Sequence, residues 1–337
     1  MSKQTLAGII AVLLIVFAGI GFWVHQESQQ KPAGELKKLT LGLTNSFFEA
    51  TVFIAEEKGF FREEGLDLTI LNFPSGKAGL SAMLSGEGVD ISSVAPFPIV
   101  LSSFERKDFA VLATFVYSYD NIKLIVNKNS GIQSGADLKG KKIGTPFGTS
   151  GEFFINTFLT YHSLGNTDIT AINLPPSDLP IALKENQVDA IVIWEPHAYQ
   201  AQKLLQENAV QLPSSEIYRE SFNFLVMKDY AEENSDTLKR FLKACQKATD
   251  YINNHKTEAQ KIVIKRLSLD QEVTSTLWED FVFKITLDQS LLISLEDEAR
   301  WLIRSKKTDK KEIPNYLNFV LPEVLKAVNP NSVTLIH

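Results

Sequence analysis

Leu39-Thr40-Leu41-Gly42-Leu43 is broken by Thr44-Asn45-Ser46 and followed by a helically spaced run from Ala50 to Lys58 that stops at Gly59: a strand, a polar loop and a helix in immediate succession. The unit then repeats. Leu66-Asp67-Leu68-Thr69-Ile70 alternates as a strand does, Pro74-Ser75-Gly76 breaks it, and a helical stretch from Leu80 to Leu84 ends at Gly86. Val89 to Val94 forms a third strand closed by Ala95-Pro96, and Ala110 to Val116 a further one. Strands alternating with helices of this length predict βαβ units around a mainly parallel sheet.

A second series opens at Ile122-Lys123-Leu124-Ile125-Val126. Lys142-Ile143-Gly144 leads through Thr145-Pro146-Phe147-Gly148-Thr149-Ser150-Gly151 into a helix that runs to about Leu164. Ile169 to Leu174 reads as a strand before Pro175-Pro176-Ser177-Asp178, and Ala190 to Ile193 as another before Trp194-Glu195-Pro196. Ala209 to Leu212 is the last strand of this series, and Phe222 to Val226 reads as a strand returning to the first. From Asp229 the pattern is helical nearly to the end, over Ser235–His255, Thr257–Leu267, Gln271–Phe283 and Asp288–Ser305. The expected architecture is α/β with two lobes: residues 36–118 with 222–337, and residues 119–221. Two crossings, near Tyr117–Asn121 and Ile217–Ser221, make a hinge beside a cleft, where small ligands bind at the C-terminal ends of strands.

The composition agrees with a globular α/β chain. Of 337 residues, 44% are hydrophobic and 22% charged, and the net charge of −6 argues against a nucleic-acid partner. Five scattered histidines and the single Cys245 offer no disulfide and no metal site, and no cofactor is expected. Residues 1–35 stand apart. Lys3 precedes an uncharged apolar run from Leu6 to Val24, and Gln26 to Glu35 is a polar linker. The run is long enough to span a bilayer as a transmembrane anchor, and Ala18-Gly19-Ile20-Gly21 is a poor cleavage site, so an uncleaved anchor is favoured over a signal peptide. No cysteine near it permits lipoprotein anchoring. The expected location is periplasmic or otherwise extracytoplasmic, with a tether to the inner membrane through residues 6–24 if the helix is retained.

Several motifs in order resemble the substrate-binding proteins of nitrate/sulfonate/taurine ABC importers and the related thiamine-precursor binders. Gly42-Leu43-Thr44 with Ala55-Glu56-Glu57-Lys58-Gly59-Phe60-Phe61-Arg62-Glu63-Glu64-Gly65-Leu66 looks like their opening. Gly86-Glu87-Gly88-Val89-Asp90-Ile91 is similar to the step before their third strand, and Asp137-Leu138-Lys139-Gly140-Lys141-Lys142-Ile143-Gly144 to their second-lobe entry. Gln187-Val188-Asp189-Ala190 with Trp194-Glu195-Pro196 looks like their G-x-V-D-A…W-x-P element, with Gln187 preceded by Asn186 where many members have glycine. The resemblance covers about residues 38–250. It implies a type II periplasmic-binding-protein fold, a small-molecule ligand, and an ABC permease with its ATPase subunits as partners.

The loops that follow strands and open helices supply the candidate ligand-binding residues, because free N–H groups and the helix dipole gather there. In the first lobe these are Thr44, Asn45 and Ser46, then Ser75 and Gly76, then Ala95 and Pro96. Asn45 or Ser46 could equally serve only as a helix cap. In the second lobe Gly148, Thr149, Ser150 and Gly151 are the strongest set, where the resemblance also places ligand contacts; Asp178, Trp194 and Glu195 follow later strands. Phe47, Phe48, Phe147 and Phe153 flank these loops, and one or two of them would line an aromatic slot. Gly76-Lys77 is no P-loop, since Ala78 stands where Ser or Thr is needed, and Glu152 spoils a nucleophile elbow around Ser150. The run Arg304 to Lys311 reads as a solvated face.

The expected function is binding without chemistry: closure on a small organic anion, sulfonate- or nitrate-like, and delivery to the permease. Helix N-termini favour an oxyanion, yet Lys77 is the one cation in the chosen loops, and Glu49, Asp178 and Glu195 would suit a cation or an N–H-rich heterocycle such as a pyrimidine. A membrane-tethered sensor acting through a partner, and an enzyme of this fold like the thiamine-pyrimidine synthases, are the alternatives; those synthases carry histidine- and cysteine-rich elements for iron that this chain lacks.

Overall fold

A computed structural model describes residues 35–214 and 217–336. Its first strand, β1 (Lys37–Thr44), takes up the opening apolar run and pairs in parallel with β2 (Leu66–Phe73) on one side and β3 (Ile91–Val94) on the other. The chain continues through β4 (Phe109–Ser118) into a second sheet made of β5 (Ile122–Asn127), β6 (Lys142–Thr145), β7 (Thr170–Asn173), β8 (Ala190–Trp194) and β9 (Ala209–Leu212). It then returns to the first sheet as β10 (Glu220–Met227), β11 (Phe281–Asp288) and the short β12 (Val333–Thr334). The sheets run β12-β11-β4-β10-β3-β1-β2 and β7-β6-β8-β5-β9.

Two expectations need correction. The sheets are mixed: β10 runs antiparallel to β3 and β4, β11 antiparallel to β4, and β5 antiparallel to β8 and β9. The helix expected over Gln271–Phe283 ends at Trp278, and Phe281 begins β11. Phe281, Phe283 and Ile285 are buried while Val282 and Lys284 are exposed, the period of two that a half-buried strand shows. Propensity in the surrounding helical stretch hid that alternation. The apolar run Leu6–Val24 lies outside the described residues, among which no helix is long and apolar enough to cross a membrane.

Alternation along the central strands also explains the core. On β5, Leu124 and Val126 join a cluster with Ile143, Phe154 and Phe158, whereas Ile125 faces the other way into the larger cluster, with Ile191 and Ile193 of β8. The five-stranded sheet is therefore apolar on both faces, as strands covered by helices on both sides must be.

Candidate functional site

Three helices begin where strands end, and all three point their N-termini into one cavity. Helix Gly76–Leu84 starts after β2, helix Pro96–Ser103 after β3, and helix Ser150–Tyr161 after β6. The first is capped by Ser75, whose Oγ accepts from the Ala78 N–H at 3.3 Å. It lies so close to β3 that a Cβ on Gly76 would stand 3.0 Å from the Ser93 carbonyl oxygen. The third is shaped by its own loop: Thr149 Oγ1 donates to the Pro146 carbonyl at 2.7 Å, and the Gly148 N–H donates to Glu152 Oε2 at 2.7 Å. Gly148 has φ +74°, a backbone conformation that costs little only without a Cβ.

The cavity between these starts is lined by Thr44, Ser75, Gly76, Lys77, Ser93 and Ala95 from the seven-stranded half and by Thr149, Ser150 and Trp194 from the five-stranded half. Phe48 and Phe222 also line it and stack on each other, with centroids 3.6 Å apart and planes 9° from parallel. The space open to the centre of a water-sized sphere is about 30 Å³, enough for ordered water and too little for most organic solutes. The two halves are drawn together around it. Lys77 Nζ donates to the Phe147 carbonyl at 3.0 Å, Lys307 pairs with Glu152, and Phe153 packs against Phe97 and Trp301 at 6.0 and 5.7 Å. A wider depression of about 730 Å³, beside Phe158, Tyr161 and His162, sits at the C-terminal end of helix Ser150–Tyr161, the wrong end of the dipole for an anion.

Buried polar atoms surround the cavity. Thr44 Oγ1 and Ser150 Oγ are buried without a hydrogen-bond partner among the described residues. Glu49 sits behind the lining, wholly buried; its Oε1 accepts from Ser93 Oγ at 2.7 Å and from the Thr44 N–H at 3.4 Å. Burial pushes its carboxyl up to about 8, against the lowering effect of the Ser93 hydrogen bond. Glu220, the first residue of β10, lines the cavity itself; its Oε2 accepts from Asn121 Nδ2 at 2.7 Å. Burial holds that carboxyl at about 7.

Of the residues named from sequence, Thr44, Ser75, Gly76, Ala95, Thr149, Ser150 and Trp194 come together in the lining. Gly148, Gly151 and Pro96 adjoin lining residues in the chain without lining the cavity, and Ser46 is buried between Asn45 and Phe47, neither of which lines it. Asn45 is exposed, and Asp178 is an exposed residue that accepts from Ser177 Oγ at 2.9 Å. Glu195 turns away from the cavity: its Oε2 accepts from the Tyr199 N–H at 2.9 Å, and burial pushes its carboxyl up to about 7. Of the flanking phenylalanines Phe48 reaches the cavity, whereas Phe47 packs on Trp278 and Phe281. Ser93, Val94, Pro98, Glu220 and Phe222 were not singled out. Ser93 and Val94 end a strand just before the chosen Ala95, a signal that could have found them; nothing local marks Glu220.

A family model described as "NMT1/THI5 like" matches residues 48–259. A Bacillus subtilis (strain 168) protein named as an aliphatic sulfonates-binding protein is 29% identical over 313 residues, spanning 90% of this chain and 92% of its own length. A Haemophilus influenzae protein named as a thiamine biosynthesis protein is 25% identical over 237 residues, 68% of this chain and 74% of its own. Among solved structures, the alkanesulfonate-binding protein SsuA from Xanthomonas axonopodis pv. citri, bound to MOPS, superposes with a TM-score of 0.74 at 19% identity, covering 86% of this chain and 99% of that one. That likeness establishes the two-sheet α/β fold of periplasmic binding proteins.

Proposed function

The chain belongs to the NMT1/THI5-like family, and on that premise we propose that it is the extracytoplasmic solute-binding component of an ABC importer, closing on a small organic anion of the sulfonate class and delivering it to a permease and its ATPase subunits. One observation carries the reading: three helix N-termini and the Lys77 ammonium, contributed by both halves, converge on a single hydroxyl-lined cavity. N-terminal amides and their dipoles favour negative charge, and Thr44, Ser75 and Ser150 add hydroxyls that can donate to an oxyanion. The sulfonate-binding names of relatives support the same class.

The mechanism is closure. Contacts from the two halves are complete only when both meet the solute, so the solute favours the closed state by its differential affinity for it. The Lys77 hydrogen bond to the Phe147 carbonyl, made from one half to the other, supports this reading. The cavity is narrow because the halves are closed, and a solute larger than water enters when they part. A retained helix at residues 6–24 would hold the protein beside its permease and raise its effective concentration there.

Titration calorimetry on the full chain, stripped of co-purified solute, against methanesulfonate, ethanesulfonate and nitrate tests this. Saturable one-to-one binding is expected, weakened tenfold or more in Lys77→Met. Absence of saturable binding to any oxyanion would sink the reading.

A further inference from the structure

A second cavity, of about 100 Å³, opens beside the first turns of helix Ser150–Tyr161 and shares no lining residue with the solute cavity. Thr145 at the end of β6, and Glu152 and Asn156 on the helix, line it from the five-stranded half. Lys307, which follows helix Gln289–Arg304, reaches it from the other half.

Its oxygens are short of donors. Asn156 is 6% exposed, and its Nδ2 donates to the Glu152 carbonyl at 2.6 Å. A carbonyl only accepts, so that bond fixes the amide with Oδ1 as its free end, and Oδ1 is buried without a partner among the described residues. Thr145 Oγ1 is likewise buried without a partner. The Glu152 carboxylate, in a residue 8% exposed, is held through Oε2 by the Gly148 N–H, and its Oε1 pairs with Lys307.

Thr145, Glu152 and Asn156 belong to one strand and one helix of the same half, so they stay together when the halves part. Lys307 leaves with its own half, as an exposed ammonium on a flexible stem. It leaves behind a carboxylate that is costly to bury alone, beside two oxygens that lack donors. One carboxylate and two neutral oxygens match a single positive charge. Calcium sites gather several carboxylates, and no group of three or more His, Cys, Asp or Glu residues stands ready to hold a metal among the described residues.

We propose that this cavity is a site for a small monovalent cation, of the class of potassium, sodium and ammonium, which takes the place of the Lys307 ammonium on Glu152 with Asn156 Oδ1 and Thr145 Oγ1 as its neutral ligands. Ion and ammonium exclude each other. The ion therefore favours the parted halves, and closure expels it. That coupling rests on the closure reading above; the site itself does not.

Thermal unfolding of the full-length chain without solute tests it, in potassium, sodium or ammonium chloride against choline chloride at equal concentration. The methyl groups of choline keep ligand oxygens from its charge. In Lys307→Ala, which removes the competing ammonium, at least one small cation is expected to raise the midpoint by about 2 °C or more over choline. The salt with the largest shift names the ion, and the same salt should shift the native chain less. Asn156→Leu and Thr145→Val, each added to Lys307→Ala, should erase the difference. Equal midpoints in all four salts for Lys307→Ala, or a difference that both added substitutions leave in place, would overturn the site. A shift as large in the native chain as in Lys307→Ala would overturn the exchange with Lys307. Each comparison is between salts within one protein, so it does not depend on how far a variant is destabilised, and Lys307→Gln takes the place of Lys307→Ala if that variant does not fold. No solute enters, so failure here leaves the oxyanion reading standing.

Discussion

Glu49 makes the stability of this protein depend on pH in the direction opposite to that of most carboxylates. Its side chain is wholly buried between Ser93, Thr44 and the helix Ser235–Asn254 that carries Cys245, with no cation against it among the described residues. Burial holds the carboxyl near 8 in the folded chain, against 4.5 when unfolded. Between those values the folded state keeps a proton that the unfolded state has lost. Stability from this group is therefore complete below about 4.5 and is lost as the pH rises through about 8. At about 1.4 kcal/mol per unit, the full gap corresponds to about 5 kcal/mol, of which about 4 kcal/mol falls between pH 5 and pH 9.

Glu49→Gln keeps the shape and removes the titration. The amide oxygen can still accept from Ser93, and the amide nitrogen faces a neighbourhood in which Thr44 Oγ1 lacks a partner. Glu195 and Glu220, both raised to about 7, add their own loss over the same range in native and variant alike, so the difference between the two proteins isolates Glu49. Urea unfolding followed by tryptophan fluorescence, at half-unit steps from pH 5 to pH 9, yields the two curves. The variant is expected to gain on the native chain by about 4 kcal/mol across that range. Parallel curves, separated by a constant within about 1 kcal/mol, would show that the buried carboxyl does not hold its proton and would refute the argument.

Gly148→Ala places a Cβ 2.3 Å from Lys77 Nζ at φ +74°, so it should cost about 1–2 kcal/mol of stability and displace the cross-cleft hydrogen bond; ligand affinity measured by calorimetry should fall further than the stability loss alone explains. The Lys307–Glu152 pair joins the two halves with side chains 37% and 10% exposed. A double-mutant cycle with Lys307→Gln and Glu152→Gln should return a coupling of about 0.5–1 kcal/mol in dilute buffer, shrinking in 1 M salt; a coupling that salt leaves unchanged would mean the pair is not behaving as a screened surface contact.

How far the sequence could be read follows from what each pattern encodes. The strand–loop–helix units located Thr44, Ser75, Ala95 and Thr149, because a helix that begins at a strand's C-terminal end presents its N-terminus there whatever the rest of the chain does. Adjacent positions were harder, since successive side chains of an extended segment face opposite ways. Trp194 lines the cavity, and Glu195 beside it turns inward to the Tyr199 N–H. Thr44 is buried at the cavity, and Asn45 beside it is exposed. Deciding between such neighbours requires the register, which a short polar loop does not reveal.

Glu220 and Phe222 were illegible for a different reason. They belong to β10, whose antiparallel insertion between β3 and β4 brings its first residues alongside Val116, Tyr117 and Ser118 at the end of β4. No helix starts there and no glycine-rich turn marks it. Their place in the cavity is created by pairing across more than a hundred residues of chain, which no local alternation of apolar and polar residues announces.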